Sequence, residues 1–175
     1  MLLDLPNDET PLVLNDFDGV YNALGILMGM TSWTDGVNTS ASMPSGNHAF
    51  SYSPTVAGFM REVSARAYMI WLSTWFEETV CYGRVMGMPD FPAINADGLD
   101  IEPSAPWWKL QRVMELVELF PNRRILWIDD EISKNPEVRA WMDVGNGSNV
   151  TLLEPNDLTG LEPADLETIE RFLNS

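Results

Sequence analysis

Four short apolar runs punctuate the chain: "PLVLND" near 11–16, "RAYMIWLST" near 66–74, "RRILWIDDE" near 123–131 and "SNVTLLEP" near 148–155. Each has strand length and is rich in β-branched or aromatic residues. None alternates strictly between apolar and polar, which is the pattern of strands covered on both faces. Between them the spacing changes to that of helices. "SPTVAGFMREVSARA" (53–67) opens with Ser-Pro and carries Val56, Phe59, Met60 and Val63, while "APWWKLQRVMELVELF" (105–120) carries Leu110, Val113, Met114 and Val117. "ETVCYGRVMGM" (78–88) reads as a shorter helix broken near Gly87 and Pro89, and "EPADLETIERFL" (162–173) as a closing helix with proline in its first turn. Strands alternating with helices predict βαβ crossovers and a three-layer, Rossmann-like α/β fold with a parallel sheet. Ligands in such folds collect at the C-terminal ends of the strands.

Residues 22–53 break the rhythm. They are rich in Gly, Ser, Asn and Thr and contain the turn signals Asp35-Gly36 and Ser45-Gly46-Asn47, so a hairpin or irregular flap is expected there, too small to be a separate cap domain. With 175 residues the chain fits a single domain.

Charge and composition narrow the function. The net charge is −16, from 26 acids against 10 scattered bases, which disfavours strong non-specific binding of nucleic acid. One cysteine, Cys81, and one histidine, His48, exclude an intrachain disulfide and a Cys/His zinc site, so any metal would be held mainly by oxygen. "MLLDLPNDET" lacks the positive start and apolar core of a signal peptide, and "AYMIWLSTWF" is too brief to cross a bilayer; the expected setting is cytoplasmic, with no membrane partner.

The candidate chemistry sits at the strand ends. "VLNDFDGVYN" (13–22) ends the first strand in Asp16 and Asp18, followed by Gly19. Alone, this stretch reads equally as a solvated acidic turn. The third strand also ends in acids, Asp129 and Asp130, and if the two strands are parallel neighbours their carboxylates converge into an oxygen-ligand site suited to Mg²⁺. Ser73 and Thr74 end the second strand, and Lys109, one of two lysines, opens the helix before the third. Hydroxyls and an ammonium there suit a phosphate.

In this order and context, Asp16-Phe17-Asp18-Gly19-Val20, Ser73, Lys109 and Asp129-Asp130 resemble the four motifs of haloacid dehalogenase-like (HAD) hydrolases. More narrowly, "WLSTW", "MGMP", "WWK", "LWIDDE" and "TGLEPADLETIERFL" are similar to small HAD domains of actinobacterial and phage proteins associated with the Swiss Army Knife RNA-repair family. The resemblance implies a phosphatase with Asp16 as nucleophile, Asp18 as acid and base, and Ser73, Lys109 and Thr74 holding the phosphoryl group. It implies Mg²⁺ bound by Asp16, the Asp18 backbone carbonyl, Asp129 and Asp130. Asn15 stands where the family usually has an apolar residue, and Tyr21-Asn22 replaces the commoner Leu-Asn.

Among the aromatics, core packing is the stronger expectation for Trp33, Trp75, Trp107 and Trp108, and a place on a surface loop for His48. Against that stronger reading, Trp33 and His48, lying on the flap, are candidates for substrate contact. The expected substrate is a phosphorylated small molecule or a nucleic-acid end. The competing expectation is an interaction module on the same scaffold, binding a protein partner through its acidic surface.

Overall fold

The computed structural model describes residues 5, 8–99, 102 and 105–175. Strands β1 (Leu12–Asn15), β4 (Tyr68–Trp71), β5 (Ile125–Ile128) and β6 (Val150–Leu153) form one parallel sheet in the order β4-β1-β5-β6. Strands β2 (Val37–Met43) and β3 (Gly46–Tyr52) form a separate antiparallel hairpin. Helices are α1 (Leu24–Met28), α2 (Pro54–Val63), α3 (Thr79–Val85), α4 (Trp108–Leu119), α5 (Pro136–Asp143) and α6 (Pro163–Asn174). The four expected sheet strands and four expected helices are all present; α2, α3 and α4 fall several residues short at one end, and α6 agrees within one residue at each end. Two helices were not anticipated. Helix α1 is a single short turn, whereas α5 carries a legible signal: Asn135 before Pro136, with Val138 and Trp141 three apart and buried.

The near-continuous hydrophobicity of the strands follows from burial on both faces. Val13, Met69, Trp71, Leu126 and Ile128 point into a core that includes Val56, Met60 and Val63 of α2, Tyr82 of α3, and Ile169 and Phe172 of α6. Leu12, Leu14, Ile70, Ile125 and Trp127 point into a second core with Leu110, Val113 and Leu116 of α4 and Val138 and Trp141 of α5. Helices therefore flank the sheet on both sides. Among the described residues, no helix is long and apolar enough to cross a membrane.

The insertion is a docked hairpin rather than a loose flap. Ala41, Met43 and Phe50 are buried in the first core, and the Phe50 ring meets Phe17 edge-on at 5.5 Å. Reversal occurs at Pro44-Ser45, beside the Ser-Gly-Asn signal. The Asp35-Gly36 signal marks something else. Asp35 accepts hydrogen bonds from Ser53 Oγ, Thr55 N and Thr55 Oγ1, each 2.7 Å, and so ties the start of the hairpin to the first turn of α2. Ser53 itself caps α2 by accepting from Val56 N–H.

Strand order decides where chemistry is possible. From β1 the chain moves outward to β4, then crosses back to β5 on the other side of β1. The crevice at the C-terminal ends of β1 and β5 is thus the topological switch point, the place where open α/β sheets bind ligands.

Candidate active site

Asp16 and Asp129 stand at that switch point. Asp16 N–H continues the β1 ladder by donating to the Ile128 carbonyl at 2.9 Å, and Asp129 N–H does the same to Leu153 at 3.1 Å. The ladder therefore fixes both Cα positions, and parallel pairing of β1 with β5 brings the two carboxylates to one edge. Lys109, in the first turn of α4, reaches between them. Its Nζ lies 2.5 Å from Asp16 Oδ2 and 2.7 Å from Asp129 Oδ2, and all three side chains are buried. The other oxygens accept backbone N–H groups: Asp16 Oδ1 from Phe17 at 2.7 Å, Asp129 Oδ1 from Glu131 at 2.9 Å. The buried Ser73 hydroxyl is a further hydrogen-bond partner of Asp16.

Asp130 completes the cluster. Asp16, Asp129 and Asp130 each offer a carboxylate oxygen, all within 4.8 Å of one another. Gly19 makes this approach possible. A β-carbon there would sit 2.3 Å from Asp130 Cγ, and the residue has φ +66, in the left-handed region. The glycine thus does more than turn the chain; it clears space for a carboxylate from another strand.

The electrostatics are those of a site short of positive charge. Burial pushes the Asp16 carboxyl up, against the pull of Lys109, Ser73 and the Phe17 N–H. Burial and the Asp16 charge push Asp129 up to about 7, with Lys109 and the Glu131 N–H pulling down. Asp130 is raised by burial and Asp16, with Lys134 opposing at 3.4 Å. Burial works against the Lys109 charge, but Asp16 and Asp129 outweigh it and hold the ammonium above its ordinary range. Three carboxylates face one buried ammonium, and an all-oxygen donor set of this kind fits a hard divalent cation.

Asp18 lies at the rim with both oxygens held. Asn22 Nδ2 donates to Oδ1 at 2.7 Å and the Trp75 indole donates to Oδ2 at 2.7 Å. The side chain of Asp18 is outside the triad of converging carboxylates. Asn15 and Tyr21 pair with each other: the Tyr21 hydroxyl donates to Asn15 Oδ1 at 3.0 Å, and Asn15 Nδ2 donates to the Val13 carbonyl at 3.1 Å. Together they satisfy a polar side chain buried at the end of β1 and brace the turn after Asp18.

The remaining expected residues are spread more widely. Thr74 follows Ser73 at the exposed rim. His48 packs edge-on against Trp75, with ring centroids 4.9 Å apart, and pairs with Ser45 Oγ at 3.1 Å. Trp33 does not join the carboxylates: its indole N–H donates to the Leu161 carbonyl at 2.7 Å, and its ring lines a groove with Phe59 and Leu166. Core packing holds for Trp107, stacked on Trp127 at 5.5 Å, and Trp108 meets Phe76 at 5.6 Å. It is incomplete for Trp75, whose indole N–H serves Asp18. The available signal was position, since Trp75 follows directly after the strand-end pair Ser73-Thr74. Next to it Phe76 has φ +49, the one positive value at a non-glycine among the described residues, so backbone strain falls beside the site.

No family model, no curated protein and no solved structure matches the chain.

Proposed function

We propose that the protein is a Mg²⁺-dependent phosphohydrolase of the HAD type, cleaving a phosphomonoester through an aspartyl-phosphate. The observation that carries this reading is the buried Asp16–Lys109–Asp129 bridge at the switch point, with Asp130 within 4.8 Å. A buried charge cluster of this kind is costly to maintain for structure alone, since apolar residues would pack as well without desolvating ions. Raised carboxylates in a crevice at the switch point support a functional reading of the cluster.

Asp16 attacks phosphorus; its oxygen–phosphorus bond forms as the bond to the leaving oxygen breaks, and Asp18 gives that oxygen its proton. Asp18 then takes a proton from water, whose oxygen attacks the phosphorus and frees Asp16 and inorganic phosphate. Lys109 holds charge against the incoming phosphoryl group, and Ser73 fixes the Asp16 carboxylate that attacks. Asp16, Asp129, Asp130 and the Asp18 carbonyl would hold Mg²⁺, which would supply charge neutralisation for a dianionic substrate. The substrate class is a phosphorylated small molecule, a nucleotide or a nucleic-acid end.

The test is a screen of p-nitrophenyl phosphate, nucleotides and 5′- and 3′-phosphorylated oligonucleotides, with and without Mg²⁺. Turnover is expected to need the metal and to be lost in Asp16→Asn, which keeps size and removes the nucleophile. Activity surviving in Asp16→Asn would sink the assignment. Absence of any turnover would favour a protein-binding module, for which the exposed Leu24, Leu27, Met28 and Met30 offer an apolar surface.

A further inference from the structure

The Asp18 carboxylate is held from both sides, and both holders lead to strand β3. Asn22, which donates to Oδ1, accepts the Ser51 N–H on its own side-chain oxygen at 3.0 Å. Trp75, which donates to Oδ2, carries His48 against its ring at 4.9 Å. The hairpin turn is pinned in turn. Ser45 donates from Oγ to Glu78 Oε2 at 2.6 Å and from its backbone N–H to Glu78 Oε1 at 3.0 Å. Glu78 closes the 3-10 turn that follows Trp75, so hairpin and indole share one support.

We infer that Trp75 and Asn22 are positioning residues for Asp18 as proton donor, and that the docked hairpin sets where they stand. This rests on the phosphohydrolase reading. An acid that must deliver a proton to a leaving oxygen is effective only when its carboxyl is held in one orientation. A carboxylate on a rim turns freely unless donors fix it. Indole N–H is a donor only, so it always presents hydrogen to Asp18, and bonds to an ionised acceptor are roughly twice as strong as neutral ones. Each carboxyl oxygen keeps a second lone pair for the proton it transfers. The proton moves from Asp18 to the leaving oxygen as the phosphorus–oxygen bond breaks, and Asp18 is left as the carboxylate that Trp75 and Asn22 already hold. Strand β3 therefore bears on the step that depends on the leaving group.

The experiment compares two substrates that differ in their need for an acid. The aryloxide of p-nitrophenyl phosphate leaves without protonation, whereas the alkoxide of glycerol phosphate does not. Trp75→Phe keeps a ring against His48 and Tyr82 and removes the N–H. It is expected to lower the single-turnover rate of glycerol release from glycerol phosphate about tenfold or more, within the range that general acid catalysis supplies, and to leave KM and the single-turnover release of p-nitrophenolate within about twofold. Asp18→Asn should show the same selectivity more strongly in that single turnover, while its steady-state turnover falls on both esters because the water step loses its base; Ser45→Ala, which loosens the hairpin, should show the selectivity more weakly. Asn22→Ala provides a second route should Trp75→Phe fold poorly in a thermal melt. Equal losses of single-turnover leaving-group release on both esters, or none on either, in Trp75→Phe and Asn22→Ala would overturn the positioning role while the phosphohydrolase reading stands. A wild type inactive with Mg²⁺ on these esters and on the nucleotides and phosphorylated oligonucleotides would instead overturn the phosphohydrolase reading and this inference with it.

Discussion

Lys109→Met tests whether the site is held together by one buried charge. Its ammonium lies 2.5 and 2.7 Å from Asp16 and Asp129, and methionine fills similar volume without charge. What remains is a pair of buried carboxylates, with triad oxygens within 4.8 Å of one another. At that separation and an effective dielectric of about 20, two unit charges repel by about 3.5 kcal/mol. Removing one partner of a buried ionic set costs about 3–5 kcal/mol, because the other is left uncompensated. Against a total stability of about 5–15 kcal/mol this is a large fraction. For a chain of this size it corresponds to a fall in Tm of about 6–20 °C. Urea unfolding followed by tryptophan fluorescence in metal-free buffer measures the difference, and the midpoint should fall with an unchanged slope. The discriminating variant is Lys109→Met/Asp129→Asn. It removes one of the facing charges and should recover about 1–3 kcal/mol relative to Lys109→Met alone. A Lys109→Met protein within about 1 kcal/mol of wild type, or a double variant less stable than the single one, would refute the reasoning.

Two other perturbations follow from the geometry. Asp35→Ala should cost about 1–2 kcal/mol at pH 7, since three donors from the start of α2 lose their acceptor. Burial raises the Asp35 carboxyl but the Ser53 and Thr55 donors outweigh it and hold it below its ordinary range, so its contribution is full above that range and is lost as pH falls through the lowered value. Acid unfolding of the two proteins should therefore converge below about pH 4, and a gap that stays constant to low pH would count against a role for the ionised carboxylate. Gly19→Ala places a β-carbon 2.3 Å from Asp130 Cγ at a left-handed backbone position. Its expected cost in a thermal melt is modest, about 1–2 kcal/mol. Turnover with Mg²⁺ should suffer far more, because Asp130 has to swing away from Asp16 and Asp129; full activity in this variant would show that Asp130 does not need to approach them.

Much of the scaffold was legible because it rests on local rules. Four runs too apolar to alternate could only be doubly covered strands, and Ser53-Pro54 and Glu162-Pro163 announce helices through capping and a preset proline dihedral. Helix α5 was equally announced by Asn135-Pro136 but is short enough to pass as a loop. Of the site, the acids at the strand tips were readable as a set, since side chains at the ends of parallel strands must share an edge. The hairpin could be foreseen as a turn-rich insertion, but its packing could not: that Phe50 docks on Phe17 is a contact between residues far apart in sequence.

The sequence by itself determined which residue types stand at the ends of which strands, because hydrophobic period and turn chemistry are properties of neighbouring residues. Only the tertiary structure decided what those residues do to one another. Sheet order placed β1 beside β5, so that one lysine could bridge Asp16 and Asp129. The same folding joined Asn15 and Tyr21 in one hydrogen bond, gave Gly19 the task of admitting Asp130, and set the Trp75 indole on Asp18. Hydrogen bonds and charge pairs act over a few ångströms of space, and which groups come within that reach is fixed by chain topology rather than by proximity along the chain.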